Sequence, residues 1–274
     1  MKFLSSRDVK LGKRDPSSHK GQNGRVLAVV GSSQYVGAAY FAAMAAYRSG
    51  VDQVVVAAPE KVAWALNCMS PDLITAKFKG NFLAAAAINK IVTMSKDFDV
   101  TLIGNGIGKR KATLKFAAAV IKKIKGLKVI DADAIKAVRI QDVTNAILTP
   151  HKGEFKVLLS NSKISEQGLR QKKIIGNNTV LLKGRIDKII SAEKVAYNKT
   201  GNAGMTKGGT GDVLAGLCAG LLAQEKDLFK AACAAAYANG KAGNLLLKKY
   251  GWGFTASDLI EKLPTILKRL WKIK

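Results

Sequence analysis

A repeated succession of short apolar segments and longer alanine-rich segments limits what this chain can fold into. "RVLAVVG" (25–31), "DQVVVAAP" (52–59) and "DVTLIG" (99–104) have the length and continuous apolar character of strands that are buried on both faces. Segments with the composition of helices lie between them, at 37–50 and 81–96. Alternation of this kind predicts an α/β fold with a mostly parallel central sheet and helices on both faces.

The rest of the chain extends this series and then becomes helical. From Asp212 onward the pattern is almost entirely helical, and Thr255 and Asp258 have the spacing of a capping box that starts a last helix. We find no linker and no repeat of fixed period, so we predict a single domain over residues 1–274. The further predicted elements are a helix at 114–125, strands at 128–133 and 146–150, and a strand pair at 179–184 and 187–192.

The chain is strongly basic. Its 274 residues include 45 Lys and Arg against 19 Asp and Glu, a formal charge of +26, which attracts polyanions and nucleotides over long range. The densest clusters, "KRK" at 109–111 and "LKRLWKIK" at 267–274, lack the interleaved aromatic residues of a base-stacking surface. A solvated, lysine-rich surface is therefore favoured over a nucleic-acid site.

Cysteine usage and hydropathy bear on the compartment. Cys68, Cys218 and Cys233 are far apart in apolar or alanine-rich surroundings, which predicts buried free thiols and a reducing compartment. The N-terminus turns polar after two apolar residues, and "VLAGLCAGLLA" has 11 residues, too few to cross a bilayer. We expect a cytoplasmic protein without a membrane span.

Three glycines in four residues precede a helix in "KGGTGD" (207–212). Backbone amides at such a helix start bind anions, and we favour an anion site over a glycine turn without a ligand, given the entropic cost of glycine. No Walker loop and no GxGxxG fingerprint occurs in the sequence. Asp212, in the first turn, is held ionised by the helix dipole in this interpretation, and can accept a proton from an attacking hydroxyl. The alternative is an acid that only complements the dipole.

Polar residues follow other predicted strands, at the edge where open α/β sheets bind ligands. The segments are 104–110, 149–154 and 181–187. His151 lies beside Glu154, which can reach a magnesium ion through water. Lys183 ends an apolar strand, where a lysine can meet phosphate.

With these residues assembled, the chain resembles the NAD(P)H-hydrate dehydratase family over about residues 19–262. This family is a branch of the ribokinase-like fold, so the resemblance implies a three-layer α/β/α sandwich with a mostly parallel central sheet. The matching segments are "KGQNGRVLAVVGSSQYVGAAYFAAMAAYRSG", "GNGIG", "DADAI", "TPHKGE", "LLKG", "GNAGMTKGGTGDVLAG" and "TASDLIE".

The resemblance implies a lyase that uses ADP or ATP, with Mg²⁺, to phosphorylate the 6-hydroxyl of hydrated NADH or NADPH. Phosphate then leaves and the normal cofactor is restored. Asp212 would be the base, and the amides of Gly209, Thr210 and Gly211 would hold the transferred phosphoryl group. Glu154 would be a metal-linked acid. The implied hydrate-binding residues are Ala38, Gly106, Gly108, His151 and Asp212. The implied nucleotide-binding residues are Lys183, Gly184, Arg185, Ile186, Asp187, Asn202, Gly208 and Gly211.

The sequence departs from the family at several positions. Lys207 stands where threonine or serine is common, which adds positive charge beside the expected phosphate site. Asn105, Lys152 and Ala203 stand where proline is common. Fewer than 25 residues precede the first predicted strand, so the epimerase domain often fused in front has no room, and a separate epimerase partner is implied. The family also suggests a homo-oligomer, with a tetramer as one form.

Two alternatives remain at this point. A ribokinase-like kinase acting on a thiazole, pyrimidine or sugar alcohol would keep Asp212 and the anion site and would release a stable phosphate ester. "TPHKGE" together with "GNAGM" argues against it. A basic nucleic-acid-binding protein without activity is the other alternative, and the intact Asp212 and glycine loop argue against that one.

Overall fold

One sheet organises the structure. The computed structural model describes residues 2–271, in which nine strands are arranged in the order β3-β2-β1-β4-β5-β6-β7-β8-β9. Pairing is parallel from β3 through β7 and antiparallel for β8 and β9. The strands are β1 (Arg25–Val29), β2 (Gln53–Pro59), β3 (Ile74–Phe78), β4 (Val100–Ile103), β5 (Leu127–Ile130), β6 (Ala146–Leu148), β7 (Thr179–Leu182), β8 (Asp187–Ile190) and β9 (Val195–Asn198).

Helices cover both faces of this sheet. The α-helices of the described part are α1 (Val36–Tyr47), α2 (Glu60–Met69), α3 (Ile88–Met94), α4 (Lys111–Lys123), α5 (Lys152–Ser162), α6 (Lys172–Ile175), α7 (Thr210–Glu225), α8 (Leu228–Tyr250) and α9 (Ala256–Leu267). Two apolar clusters form the core, one between the sheet and α1, α2, α7, α8 and α9, the other between the sheet and α3 to α6. The predicted three-layer α/β/α sandwich with a mostly parallel sheet is confirmed.

Glycine brings α7 directly against α1. A Cβ atom at Gly216 would overlap the carbonyl oxygen of Ala42, and a Cβ atom at Gly220 would overlap the hydroxyl of Ser49. The alanines of α1, buried on this side, present only methyl groups at the contact. The two backbones therefore approach closely, and this contact sets where the first turn of α7 lies.

Helices α2 and α6 and strands β3 and β9 were missed in the sequence, and one helix is shorter than predicted. Helix α2 follows β2 with no turn residue between them, and β3 is a partly exposed edge strand without a continuous apolar run. Strand β9 is four residues long and alternates between buried and half-buried positions. In the segment 81–96, the α-helix covers only α3, after a 3₁₀ turn at Ala85–Ala87.

Smaller predictions had mixed outcomes. The capping box of Thr255 and Asp258 is confirmed at the start of α9. Cys218 and Cys233 are buried free thiols as predicted, but the prediction was wrong for Cys68, which is exposed near the end of α2. Among residues 2–271, no helix is both long and apolar enough to cross a membrane. The last three residues of the basic segment 267–274 lie outside the described residues.

The contact between α1 and α7 predicts the effect of a single methyl group. Gly216→Ala would push the two helices apart, so we expect the free energy of unfolding to fall by about 1–3 kcal/mol. Urea denaturation measures this difference. Gly126→Ala is the matched control, since no heavy atom lies within 4 Å of its new Cβ. Equal stability of the two variants would contradict the close contact.

Candidate active site

Four neighbouring strands end at one edge of the sheet, and each is followed by a polar residue. Asn105 comes two residues after β4, Asp131 directly after β5, Thr149 directly after β6 and Lys183 directly after β7. The first turn of α7 brings Asp212 to the same edge, where its carboxylate meets the side chain of Asn105. Carboxyl ends of parallel strands are where open α/β sheets bind ligands. This edge is therefore the candidate active site.

Asp131 is the most heavily hydrogen-bonded group of the edge. Its Oδ1 accepts from Thr149 Oγ1 at 2.7 Å and from Lys183 Nζ at 2.9 Å, and its Oδ2 accepts from Asn105 Nδ2 at 2.8 Å. Its side chain is almost fully buried. Asp131 therefore anchors Lys183 and Asn105.

Asp212 has few partners by comparison. Within the described residues, its side chain accepts one hydrogen bond, to Oδ1 from Asn105 Nδ2 at 2.7 Å. Partial burial and the nearby negative charge of Asp131 raise the pKa of Asp212 to about 7, although Asn105 and Lys183 act in the opposite direction. We expected the helix dipole to hold this acid ionised, and that was wrong because desolvation and a second carboxylate dominate. A carboxylate with a pKa near neutrality is suited to taking up a proton.

Lys183 supplies a positive charge at the start of α7. Burial lowers the pKa of Lys183, but the negative charges of Asp131, Glu154 and Asp212 outweigh this effect and raise it. A Cβ atom at Gly211 would lie 3.5 Å from Lys183 Nζ, so the ammonium faces the first turn of the helix. An anion at this helix start would meet both the ammonium and backbone N–H groups.

The glycine loop before α7 needs its glycines. Gly209 has φ of +91°, and a Cβ there would lie 2.6 Å from the ring of Phe41. Gly208 has open space around it. Thr210 is buried, and its hydroxyl donates to the carbonyl oxygens of Met205 and Lys207. Its side chain thus braces the loop from inside.

The free amides of this loop differ slightly from those expected. The N–H of Thr210 makes a long hydrogen bond of 3.4 Å to the carbonyl oxygen of Lys207. Within residues 2–271, the N–H groups of Gly209, Gly211 and Asp212 have no protein acceptor. Of the three amides named from the sequence, those of Gly209 and Gly211 are thus available to an anion, and the amide of Asp212 joins them.

The Lys207 ammonium is held by the connection between α8 and α9. Its Nζ donates to the carbonyl oxygens of Trp252 and, at 2.7 Å, Phe254, and it lies 5.3 Å from the centre of the Phe254 ring. The added charge beside the expected phosphate site therefore stays a prediction, and the two carbonyl groups of the α8–α9 connection fix where the ammonium lies. Lys207 ties the glycine loop to that connection.

His151 and Glu154 form the capping box of α5. Nδ1 of His151 accepts from the N–H groups of Gly153 at 2.9 Å and Glu154 at 3.2 Å, and Glu154 Oε2 accepts from the N–H of His151 at 3.0 Å. The imidazole remains largely exposed, whereas the Glu154 carboxylate is buried, with Oε1 3.4 Å from His151 Nε2. These two side chains organise the helix start beside Lys183, to whose strand His151 is bridged.

The donor set fits magnesium in a limited way. No cluster of three or more His, Cys, Asp or Glu side chains able to hold a metal occurs in the described part of the chain. Mg²⁺ commonly keeps several waters and is held by one or two carboxylates together with substrate phosphates. Glu154, whose Oε1 accepts no hydrogen bond from within residues 2–271 apart from the longer contact to His151, is suited to hold it through water.

Three of the five residues expected to hold the hydrate, Ala38, Gly106 and Gly108, lie where α1 meets the loop after β4. Gly106 has φ of +68°, and a Cβ there would lie 2.9 Å from Cβ of Ala38. Gly108 has φ of +87°, and its N–H donates to Asp133 at 3.2 Å. Ala38 and Gly106 are thus in contact, and Asn105 lies directly before Gly106.

The expected nucleotide-binding residues form a turn and a loop. Lys183 to Asp187 connect β7 and β8, and Asp187 accepts from the N–H of Gly184 at 3.0 Å and from Asn198 at 2.9 Å. Burial raises the pKa of Asp187. Arg185 and Ile186 are exposed in this turn. The Asn202 side chain accepts from Gly204 N–H and donates to Asn244. Asp187 and Asn202 therefore stabilise the backbone that would face a nucleotide.

Asp131, Thr149 and the bridging role of Asn105 were missed in the sequence. Asp131 lies within "DADAI", inside the strand predicted at 128–133, so the sequence did not mark it as a residue at a strand end. Asn105 was noted only as a departure from a common proline. Their hydrogen bonds join residues that are 18 to 107 positions apart, which the sequence does not show.

Comparison with known proteins identifies the family. A model of the family described as NAD(P)H-hydrate dehydratase matches residues 26–265. The chain belongs to the NAD(P)H-hydrate dehydratase family. The matched range contains the residues at the carboxyl ends of β4 to β7 and the first turn of α7, here called the carboxyl edge, from Asn105 to Asp212.

Related sequences agree with this assignment. The bifunctional NAD(P)H-hydrate repair enzyme of Methanothermobacter thermautotrophicus is 39% identical, over 97% of this chain and 54% of that protein. The chain spans about half the length of such bifunctional relatives. The ADP-dependent (S)-NAD(P)H-hydrate dehydratase of Cenarchaeum symbiosum is 36% identical, over 97% of this chain and 94% of that protein.

Solved structures support the same assignment. The ADP/ATP-dependent NAD(P)H-hydrate dehydratase of Bacillus subtilis, co-crystallised with ATP and Mg²⁺, is 25% identical with a TM-score of 0.82, covering 98% of both chains. A ribokinase from Thermotoga maritima has a TM-score of 0.58 at 15% identity, over 89% of this chain and 99% of that one. The latter similarity shows the fold alone.

The raised pKa of Asp212 has a consequence for stability. The native state holds the Asp212 proton up to about pH 7, whereas an unfolded aspartate loses it near pH 3.9, so stability falls as pH rises between these values. Asp212→Asn removes this effect. We expect its free energy of unfolding at pH 8 to exceed that of the wild type by about 2–3 kcal/mol, with the gain lost near pH 4.

Urea denaturation at the two pH values measures this difference. Asp72→Asn is the control, because Asp72 is exposed, and its effect should stay within about 0.5 kcal/mol at both pH values. If the difference in the free energy of unfolding between Asp212→Asn and the wild type is the same at pH 4 and pH 8, the raised pKa is refuted.

Proposed function

We propose that this protein catalyses the nucleotide-dependent dehydration of hydrated NADH or NADPH, restoring the normal cofactor. The reaction uses ADP or ATP as phosphoryl donor, with Mg²⁺. The observation that carries the proposal is the position of Asp212 in the first turn of α7, beside the free amides of the glycine loop. Within residues 2–271 its Oδ2 accepts no hydrogen bond, and its pKa is about 7. Membership of the dehydratase family supports the choice of substrate.

In the first step, Asp212 accepts the proton of the 6-hydroxyl while that oxygen attacks the terminal phosphorus of the nucleotide. The bond from phosphorus to the leaving nucleotide oxygen breaks as the new oxygen–phosphorus bond forms. The amides of Gly209, Gly211 and Asp212 and the ammonium of Lys183 stabilise the charge that spreads over the phosphoryl oxygens. Positioning and charge stabilisation supply most of the catalysis in such a transfer.

In the second step, the phosphorylated hydroxyl leaves as inorganic phosphate and the ring regains its double bond. The ring loses one proton and the carbon–oxygen bond breaks, so that the sum of both steps is loss of water at the expense of one nucleotide phosphoanhydride. Glu154 would hold magnesium through water, and the ion would supply positive charge beside the nucleotide phosphates. Ala38, Gly106, Gly108 and His151 surround the proposed hydrate position.

A kinase of the same fold is the competing function. It would use the same base and the same amides, and would release a stable phosphate ester. The likeness to ribokinase is in fold alone, whereas the NAD(P)H-hydrate repair enzymes and dehydratase among the relatives share 35–42% identity, which favours dehydration. Nucleic-acid binding has only the charge of +26 in its support.

The deciding experiment supplies hydrated NADH, magnesium and either ADP or ATP, and follows recovery of NADH absorbance together with release of inorganic phosphate. We expect both signals to appear in equal amounts. No turnover with either nucleotide would reject the dehydratase. A stable phosphate ester formed when a thiazole, pyrimidine or sugar alcohol replaces hydrated NADH would indicate the kinase.

The role of Asp212 as base predicts how turnover depends on pH and what the substitution Asp212→Asn does. Turnover should increase as pH rises through about 7, where Asp212 loses its proton. Asp212→Asn should lower kcat by roughly 10²–10⁴-fold and leave nucleotide binding, measured by calorimetry, nearly unchanged. The exposed Asp72→Asn serves again as control. Wild-type turnover by Asp212→Asn would exclude its role as base.

We also propose a homo-oligomer, with the tetramer as the form to test, acting as one domain over residues 1–274 in the cytoplasm. Trp64 and Met69 on α2 and Ile74 on edge strand β3 are exposed apolar side chains, which supports self-association through this side. Light scattering should give a multiple of 29.2 kDa. NAD(P)H-hydrate epimerase is the proposed functional partner. The free thiols support a reducing compartment.

A further inference from the structure

Asn105 lies at the centre of the carboxyl edge and is held firmly there. Its side chain is fully buried, and its carbonyl oxygen accepts from the N–H of Gly31 at 2.8 Å. Gly104 and Gly106, on either side, have φ of +127° and +68°, conformations that glycine adopts without strain. The backbone thus presents this one side chain between the ends of β4 and β5 and the start of α7.

The Asn105 amide joins two carboxylates. Its Nδ2 donates to Asp131 Oδ2 at 2.8 Å and to Asp212 Oδ1 at 2.7 Å. The opposite orientation of the amide would place Oδ1 against both carboxylates and is excluded by repulsion. Each acid therefore receives one of the two N–H bonds. Because an amide does not titrate, the bridge forms without either carboxylate having to hold a proton.

The other end of the amide shows what this arrangement costs. Within residues 2–271, Asn105 Oδ1 is buried and has no hydrogen-bond donor. Leaving a buried acceptor unpaired lowers stability, and such groups in native proteins often have a functional reason. A smaller apolar side chain would avoid the penalty. Among the described residues, the hydrogen bonds of this side chain are those to the two acids, and these offset the penalty.

We propose that Asn105 is a positioning residue of the active site, whose amide holds the carboxylates of Asp131 and Asp212 together and keeps Asp212 oriented as a proton acceptor. The inference rests on the proposed function for the identity of the substrate hydroxyl that gives its proton to Asp212. The bridge itself is independent of that identity.

The groups around Asp212 define what removal of the bridge would do. Asp131 from the end of β5 and Glu154 from α5 disfavour its ionised form, whereas Lys183 from the end of β7 and Asn105 from the loop after β4 favour it. Without Asn105, Lys183 remains as the side chain named above that favours the ionised form. Asp212 would then hold its proton to higher pH and would accept one poorly at neutrality.

The test combines Asn105→Ala with the isosteric Asn105→Asp, which keeps the volume and cannot donate to both acids. Carbon-13 NMR of labelled aspartate carboxyls follows the titration of Asp212, and the pH dependence of kcat is measured in parallel. In both variants we expect the titration midpoint to rise by about one pH unit or more. At pH 7, kcat should fall about 10-fold and largely recover at pH 9, with KM little changed.

Asn178→Ala is the matched control. Asn178 is equally buried but lies directly before β7, at the amino ends of the strands and away from the active site. There it hydrogen-bonds Val143, Ile175 and Ala146. Its removal should lower stability and leave the midpoint of Asp212 in place. In the wild type, the Asn105 side-chain amide signals should shift with the same midpoint as the Asp212 carboxyl, which tests the bridge even without a folded variant.

The outcomes separate this inference from the proposed function. Unchanged Asp212 midpoints in the variants, or wild-type Asn105 amide signals that do not follow Asp212, overturn the bridge even if the enzyme is active. A shifted midpoint in a protein that does not turn over hydrated NADH supports the bridge and counts against the proposed function alone.

Discussion

The contact between the backbones of α1 and α7 is the constraint on which the active site depends. Gly216 and Gly220 allow α7 to lie directly on Ala42 and Ser49, so the axis of α7 is fixed relative to the sheet. As a result, the first turn of α7 ends above the carboxyl edges of β4 and β5, and Asp212 reaches Asn105. A side chain at either glycine would displace this turn from the strand ends that carry Asp131 and Lys183.

Two opposing effects then set the chemistry of Asp212. Desolvation and the neighbouring Asp131 favour its protonated form, whereas the amide of Asn105 and the ammonium of Lys183 favour its ionised form. The balance leaves the pKa at about 7, close to the value at which a general base combines sufficient ionisation with sufficient basicity. Asn105 and Lys183 therefore have to lower the pKa of Asp212 only moderately. With more hydrogen-bond partners its pKa would fall further, and the carboxylate would be a weaker base.

Much of the fold followed from local patterns. The buried strands β1, β2 and β4 and the long helices α7 and α8 have continuous apolar or alanine-rich sequences, and burial on both faces of a parallel sheet requires such sequences. Strands β3 and β9 were missed because edge and near-edge positions need no continuous apolar run.

The site was predictable only in part, for a related reason. Asp212, Lys183 and Glu154 were found from their places at helix starts and strand ends, which are local features. Asp131 gains its role from partners distant in the sequence, and the direction of Lys207 depends on carbonyl groups 45 and 47 residues away. Long side chains reach several possible partners, so sequence position alone does not fix which one they contact.

The charge of the whole chain and the charge of its site have opposite signs. The chain carries +26, yet the carboxyl edge holds Asp131, Glu154 and Asp212 against Lys183 alone. Surface lysines attract an anionic nucleotide from a distance, but their effect is screened over about 8 Å at physiological ionic strength. Inside the site, nucleotide phosphates would therefore meet local carboxylates, and the positive potential would come from Lys183, from the free amides of α7 and from a cation bound with the nucleotide. This local balance explains why the glycine loop and Lys183 face each other across the first turn of α7: neither the amides nor the ammonium alone would compensate three acids.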